Sequence, residues 1–165
     1  MKLATLSKTD QELYGATHCV TITFADLAAG AAALTQTYNI LPATTNGVMP
    51  ALGTSGTDNL PQTGFQAALV AAILDTPFSG GTIATATLTI GDSLSAARYL
   101  AATNVFTGAT AFHFSGIVAN QPFTYTAAAN LTCLFTTTVG NCNAATAGQV
   151  RIYLRAVNLN KLATS

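Results

Sequence analysis

The sequence predicts an all-β protein, an antiparallel jelly-roll-like β-sandwich with a short N-terminal arm. One observation is the strict alternation of the run 148–159, which is typical of a strand with one face in a core. Its apolar positions are Val150, Ile152, Leu154 and Ala156, and its polar positions are Gln149, Arg151, Tyr153 and Arg155. The other observation is a series of about nine or ten short strand-like segments, separated by turn residues every 8–12 positions or so. A chain of 165 residues is long enough for one such core.

The N-terminal part divides into an arm and a first strand. Residues 1–16 are predicted to form the arm, and the spacing from Thr9 to Glu12 permits one capped helical turn. Residues 17–26 alternate as a strand, and the single domain is therefore expected to span 17–165. His18 is in register with the apolar positions of this strand, which places it at the edge of the core.

The next segments predict a turn, a strand and a long loop. Residues 27–33 are rich in alanine and favour a helical turn, and residues 34–41 form a second strand that Pro42 ends. Residues 42–64 are rich in proline and glycine, and we expect a long surface loop with one short strand near Val48. Loops of this length are often functional or bound by a partner.

Residues 65–75 are ambiguous, because they are apolar on both faces and rich in alanine, which favours a helix. Pro77 and the pair Gly80-Gly81 close the segment shortly before another alternating run, so a buried strand is the preferred interpretation. Residues 82–90 alternate threonine with apolar residues and predict a strand with Leu88 and Ile90 inward. Further strands are predicted at 97–101, 109–114, 123–127, 131–138 and 148–159.

The composition points to association. Only 7% of residues are charged, against about 25% in an ordinary soluble domain, and the formal net charge is zero. All six acids lie in the first 92 residues with two lysines, whereas four basic residues and no acid follow from Ser93 onward. Opposed patches either guide subunits together or neutralise each other within one fold. No apolar run reaches the roughly 18 residues of a membrane span, and no signal peptide is predicted, so we expect folding in the cytoplasm.

The residue types that usually build a site are scarce. Cys19, Cys133 and Cys142 lack zinc spacing, and free thiols are preferred to a bond between Cys133 and Cys142, which stays open. Asp58 alone provides too few oxygens for calcium. Two exposed arginines make no nucleic-acid footprint, and we expect them at an interface or paired with acids of the same chain. No metal and no cofactor are predicted.

One short motif resembles a catalytic signature. Gly91-Asp92-Ser93-Leu94 follows an apolar strand and is similar to the nucleophile motif of the GDSL esterases. A serine nucleophile needs a histidine base oriented by a carboxylate. No acid follows Asp92, and His113 lies between two phenylalanines. The motif is therefore interpreted as a turn, and the protein is not expected to be an enzyme.

A larger resemblance covers residues 65–159. It rests on two blocks, the first running from the apolar strand through Thr76-Pro77-Phe78 and the glycine turn to Gly91-Asp92-Ser93 and Ala97-Arg98-Tyr99-Leu100. The second contains Phe123-Thr124-Tyr125, the strand 131–138 and the final strand. Together they resemble the β-sandwich modules of tailed-phage virion proteins, namely capsid cement (decoration) proteins, head fibres and tail-fibre knobs. The resemblance implies a jelly-roll body, a trimer seated between capsomers and arms that reach over the shell.

The expected function is accordingly a capsid decoration protein that forms a homotrimer and clamps subunits of the major capsid protein. It would reside on the virion after assembly in the host cytoplasm, without nucleic acid or membrane as partner. The expected contact residues are Lys2, Leu3, Leu6 and Lys8 in the arm and Arg151, Tyr153 and Arg155 on the last strand. The alternative is a fibre knob that recognises a host-surface glycan or receptor through residues 42–64, with Tyr38 as a stacking candidate.

Overall fold

The computed structural model describes residues 1–5, 15–41, 65–107, 122–126 and 129–158. Nine strands lie in these residues. They are β1 (Lys2–Thr5), β2 (His18–Thr23), β3 (Thr35–Leu41), β4 (Phe65–Ser79), β5 (Ala86–Asp92), β6 (Ser95–Asn104), β7 (Phe123–Tyr125), β8 (Leu131–Thr137) and β9 (Ala147–Asn158). One sheet has the order β1-β2-β9-β4-β7, and the other has the order β3-β8-β5-β6. All strand pairings are antiparallel, so the predicted all-β sandwich is confirmed.

The final strand has the predicted alternation but lies in the middle of its sheet. The side chains of Val150, Ile152, Leu154 and Ala156 are buried, as predicted. β9 lies between β2 and β4; it pairs with β4 along its whole length and with β2 over residues 149–154. Near its start, Gly148 has a φ of +134°, and a Cβ there would meet the Phe78 ring at 2.2 Å. Only glycine fits this position, because the backbone conformation and the close approach both exclude a side chain.

The ambiguous segment 65–75 is a strand, as preferred, and β4 continues to Ser79. Its apolar character on both faces has a structural cause. The register against β9 shifts between Leu69 and Ala71, which is a β-bulge. The buried positions therefore change from Ala67 and Leu69 to Ala72 and Leu74. One extra residue moves the inward set by one position, so a single alternation cannot describe the whole strand.

The helical turn predicted over 27–33 lies earlier in the chain, because α1 spans Phe24–Ala28. The start is fixed by a capping box, in which the Asp26 carboxylate accepts the backbone N–H and the hydroxyl of Thr23, both at 2.8 Å. The end is supported by Gln36, whose side-chain amide donates to the carbonyls of Leu27 and Ala31 at 3.0 and 2.8 Å. Phe24, predicted to be in the strand, is the first helical residue.

The core lies between the two sheets. Its largest fully buried side chains are Tyr99, Tyr125, Phe78, Phe135, Ile22, Leu27, Ile40, Leu74, Leu88, Ile90 and Leu100. Phe78 and Phe135 meet edge to face with ring centroids 5.0 Å apart, which links β4 of one sheet with β8 of the other. His18 is buried as predicted, and its Nδ1 lies 2.7 Å from the Thr17 hydroxyl. Burial lowers the pKa of His18.

The remaining predicted strands are found with adjusted bounds. β5 begins at Ala86, after a turn that contains Ile83, and Leu88 and Ile90 are buried as predicted. The predicted strands 97–101, 123–127 and 131–138 correspond to β6, β7 and β8. Within the predicted arm, residues 2–5 form β1 and pair with β2. The helical turn at 9–12 and the strands near Val48 and at 109–114 fall outside the described residues.

Candidate functional site

The candidate site is the outward face of β9, in the middle of the five-stranded sheet. Because strand residues alternate, Gln149, Arg151, Tyr153 and Arg155 all project from this face. The first three side chains are half-buried among their neighbours on β2 and β4, whereas Arg155 is exposed. The face is thus a fixed surface built on a central strand rather than on a loop.

An ion pair fixes the centre of this face. Arg151 donates from Nε to Asp75 Oδ2 at 2.8 Å and from Nη2 to Asp75 Oδ1 at 2.6 Å, which is a bidentate arrangement. Gln149 Nε2 donates to the same Oδ2 at 2.9 Å, and Arg151 Nη1 donates to the Tyr153 hydroxyl at 2.8 Å. One carboxylate on β4 therefore orients three consecutive outward side chains of β9.

The electrostatics of the pair follow from these contacts. The hydrogen bond from Arg151 lowers the pKa of Asp75, and the pKa of Arg151 is raised by the same carboxylate. Both groups stay charged and neutralise each other within the chain. Of the two expectations for the outward arginines, intrachain pairing is confirmed for Arg151. Both side chains retain some exposure, so the pair adds at most about 1 kcal/mol to stability and mainly sets geometry.

Arg155 differs from Arg151 in its surroundings. It lies opposite Ala68 on β4, whereas Arg151 lies opposite Ile73 and pairs with the neighbouring Asp75. Within the described residues Arg155 has no hydrogen bond and no ion pair. The exposed position of Arg155 is compatible with the predicted role as a contact residue, which stays a prediction.

The N-terminal contact residues lie in the same sheet. Lys2 is opposite Thr21, and Thr21 is in turn opposite Arg151, so the three form one row across β1, β2 and β9. The backbones of Lys2 and Arg151 are therefore two strand spacings apart, about 9–10 Å. Leu3 is opposite Val20. Leu6 and Lys8 fall outside the described residues.

The motif similar to that of the esterases forms the turn between β5 and β6, which confirms the interpretation as a turn. Asp92 Oδ1 accepts the backbone N–H groups of Leu94 and Ser95 at 2.8 and 2.7 Å. The Ser93 hydroxyl accepts the backbone N–H of Asn130 at 3.2 Å. Asp92 thus closes a tight hairpin, and Ser93 ties that hairpin to the segment before β8.

Asp92 also anchors a buried network that the sequence does not reveal. Its side chain is excluded from solvent, and Oδ2 accepts from Arg98 Nε and, at 2.8 Å, from the Tyr125 hydroxyl. The Tyr125 hydroxyl lies 2.7 Å from that of Tyr99. Arg98 also stacks over the Phe123 ring, 3.8 Å from its centroid. Since Tyr125 and Phe123 belong to β7, these contacts connect the two sheets.

The pKa values in this network follow from burial and hydrogen bonding. Burial alone would raise the pKa of Asp92, but the hydrogen bonds from Arg98, Tyr125 and the backbone outweigh it and hold the pKa below its ordinary value. Burial raises the pKa of Tyr99 to about 12 and that of Tyr125 further. Asp92 is thus the charged member, and both tyrosines stay protonated as donors.

Tyr38, the stacking candidate of the fibre-knob alternative, makes its contacts with other residues of this chain. Its hydroxyl lies 3.1 Å from the Asp26 carbonyl and 2.5 Å from Gln36 Oε1, and its ring meets Phe135 edge to face. Burial raises its pKa to about 12. The side chain therefore supports α1. Residues 42–64 fall outside the described residues.

The three cysteines are buried free thiols, as preferred from the sequence. The Cys142 thiol faces the Leu34 carbonyl at 3.3 Å. The described residues contain no group of three or more histidine, cysteine or acidic side chains placed to hold a metal ion. Among the same residues, no helix has the length and apolar character to cross a membrane.

Comparisons of this chain with protein-family models, with curated proteins and with solved structures find no match.

Proposed function

We propose that this chain is a structural virion protein, a capsid decoration (cement) protein of a tailed phage that clamps neighbouring subunits of the major capsid protein. The observation that carries the proposal is the strand order. The four strands β2-β9-β4-β7 face the four strands β3-β8-β5-β6, and β1 extends the first sheet at its edge. From β2 onward, consecutive strands lie in opposite sheets except for the hairpin β5–β6, and this arrangement is similar to that of an eight-stranded jelly roll, an architecture used by viral capsid domains.

The outward face of β9 suits a protein that works by contact. Arg151, Tyr153 and Gln149 are held in place before any partner arrives, so binding orders few side chains and loses little entropy. Arg155 presents one charge that can orient the contact and increase the association rate. In this proposal the protein is not an enzyme and has no cofactor, and it acts as a homotrimer on the capsid surface after assembly in the host cytoplasm.

The decisive experiment locates the chain on native particles. Electron cryomicroscopy of particles that carry a tagged copy is expected to show regular density on the head at positions between capsomers. Density at the tail tip would favour the fibre-knob alternative, and absence from particles would contradict a virion role.

A binding assay tests the contact residues. Purified protein is added to heads that lack it, and the bound fraction is measured by sedimentation. Arg155→Glu is expected to weaken binding at least tenfold, because a charge that meets a complementary surface is reversed. The matched control, Ala97→Glu, adds an acid at an exposed position of β6 in the other sheet and is expected to bind as the unmodified protein does.

A further inference from the structure

His18 lies where three strands of the five-stranded sheet run side by side. It is the first residue of β2, opposite Thr5 at the end of β1 on one side and opposite Leu154 of β9 on the other. Leu154 belongs to the core, and directly opposite residues of paired strands project from the same face of a sheet. The His18 side chain therefore faces the core, and only 3% of the residue is exposed.

The hydrogen bonds of Thr17 assign the proton of the neutral His18 ring. The Thr17 hydroxyl donates to the Leu154 carbonyl at 3.2 Å and accepts the backbone N–H of Ala156 at 2.9 Å. A hydroxyl has one proton and two lone pairs, so one lone pair remains for His18 Nδ1, which is 2.7 Å away. The arrangement is complete when Nδ1 carries the proton and donates it. Acid then adds the second proton at Nε2, for which the Thr17 hydroxyl offers no further lone pair.

The acids of the described residues are engaged away from His18. Asp26 caps α1 beyond the far end of β2, and Asp75 lies in the ion pair on the outward face of the sheet. Asp92 is paired with Arg98 in the buried network. Among the described residues, a protonated imidazole at this position therefore finds no counter-ion.

The other titratable groups of the adjoining strands and of the facing sheet are basic or neutral. The charged residues of β1 and β9 are all cations, namely Lys2, Arg151 and Arg155. Burial raises the pKa of the following side chains, so that they stay uncharged near neutral pH: Cys19 and Tyr153 on β2 and β9, and Tyr38, Tyr99 and Cys133 in the facing sheet. Burial is also what lowers the pKa of His18, because it disfavours the charged form of the ring.

Neutral and protonated His18 differ in their effect on the sheet. A charged imidazole in a core without a partner is costly, so the folded chain keeps the ring neutral at a pH at which an exposed ring, with a pKa of about 6.5, already binds a proton. Any opening that exposes the ring to water is therefore favoured as the pH falls through about 6.5. β1 is the neighbour that leaves β2 most easily, because it is an edge strand held by four residue pairs, whereas β9 meets β2 through six.

We propose that His18 is an acid-sensitive latch, whose neutral ring lets β1 stay in the sheet at pH 7 and above and whose protonation below about pH 6 releases β1 from β2. The predicted arm is then anchored through residues 2–5 at neutral pH, and these residues become available to another partner in acid. The latch goes beyond the proposed function and does not rest on it.

The test measures amide hydrogen exchange of the full chain by NMR between pH 7.5 and 5.5, with each rate corrected for the intrinsic pH dependence of exchange. A ring that stays neutral when covered and titrates near pH 6.5 when uncovered makes the equilibrium constant for release of β1 rise about tenfold over this interval. We therefore expect the protection of residues 2–5 to fall about tenfold, whereas the amides of β9 that pair with β4 keep their protection. Asp92 titrates below this interval, so the two effects are separate.

Two matched variants assign the effect to one ring. His18→Asn retains a side-chain N–H for Thr17 but does not titrate, so the protection of residues 2–5 is expected to be independent of pH. His113→Asn removes the other histidine of the sequence and is expected to leave the tenfold change intact. If circular dichroism shows that His18→Asn does not fold, His18→Phe provides a ring that cannot titrate. The ring-proton shifts of His18 in the unmodified chain report its protonation directly.

A tenfold loss that is confined to residues 2–5 and disappears in the His18 variant supports the latch. Protection of residues 2–5 that is already absent at pH 7.5, or that does not change with pH, overturns it. An equal loss across β9 overturns it as well, because it shows global destabilisation, and so does a loss that persists without His18 or vanishes without His113. None of these outcomes depends on where the protein lies on a particle, so the latch and the proposed function can fail separately.

Discussion

Asp92→Asn tests whether the buried network holds the two sheets together. The amide keeps an oxygen for the backbone N–H groups of Leu94 and Ser95. It places a nitrogen, however, where Oδ2 accepts from Arg98 and Tyr125. Two hydrogen bonds to a charged group are lost, at about 1.5–3 kcal/mol each, and the guanidinium loses its counter-ion. Because Arg98 is partly exposed and can turn toward water, we expect a loss of about 3–5 kcal/mol.

The measurement is urea unfolding at pH 7 followed by circular dichroism. With an m value of about 2 kcal/mol per molar urea, the midpoint should fall by about 2 M. The matched control is Tyr125→Phe, which removes one hydroxyl and leaves the Arg98 pair intact, so it should cost about 1–2 kcal/mol. A loss below about 1 kcal/mol for Asp92→Asn, or a larger loss for Tyr125→Phe, would refute the central place of the carboxylate.

The same variant gives a pH dependence with a defined sign. The folded-state pKa of Asp92 lies below its ordinary value of about 3.9, so its contribution is complete above that pH and is lost as pH falls through the folded value. The difference in unfolding free energy between the unmodified chain and Asp92→Asn should therefore shrink below about pH 4. An unchanged difference at pH 3 would show that folding does not lower the pKa of Asp92, which would contradict the hydrogen bonds assigned to its charged form.

Three further outcomes follow from the structure. Gly148→Ala should lower the free energy of unfolding by about 3 kcal/mol or more in thermal unfolding, because the positive φ of Gly148 and the Phe78 ring exclude a Cβ. The control Gly81→Ala places a Cβ in open space and should change this free energy by less than about 1 kcal/mol. Arg151→Gln should lower the free energy of unfolding in urea by less than about 1 kcal/mol, because the ion pair of Arg151 with Asp75 is partly exposed. High salt should reduce this loss. A loss as large as that of Asp92→Asn would contradict the expectation. A thiol reagent at pH 8 should label no cysteine of the folded chain and all three after unfolding. The reason is that Cys19, Cys133 and Cys142 are buried, and burial raises the pKa of each thiol. Fast labelling of the folded chain would contradict this packing.

The sequence predicts the strands well where alternation is local. β9 follows its pattern residue by residue, because one face of a strand is either inside or outside along its whole length. β4 is harder to predict, since its bulge depends on the register with β9 and moves the buried set by one position. The helical turn predicted at 27–33 begins three residues too late, although Thr23 and Asp26 have the spacing of a capping box, a signal present in the sequence.

The candidate site is less accessible from sequence, because its partners are distant in the chain. Arg151 is 76 positions from Asp75, and Tyr125 is 33 positions from Asp92. Alternation places Arg151 on the outward face but cannot select which of six acids it meets. An acid directly after an apolar strand, as at Asp92, hints at a turn, whereas its burial depends on which strand crosses the turn from the other sheet.

The central place of β9 has a consequence for the order of folding. β9 is the last described strand to leave the ribosome, yet it alone joins the pair β1-β2 to the pair β4-β7. All four strands of the second sheet are synthesised earlier and can pair first, with their apolar inner face still uncovered. A nascent chain that stalls before residue 147 therefore exposes two open strand edges, on β2 and on β4, and is prone to aggregate.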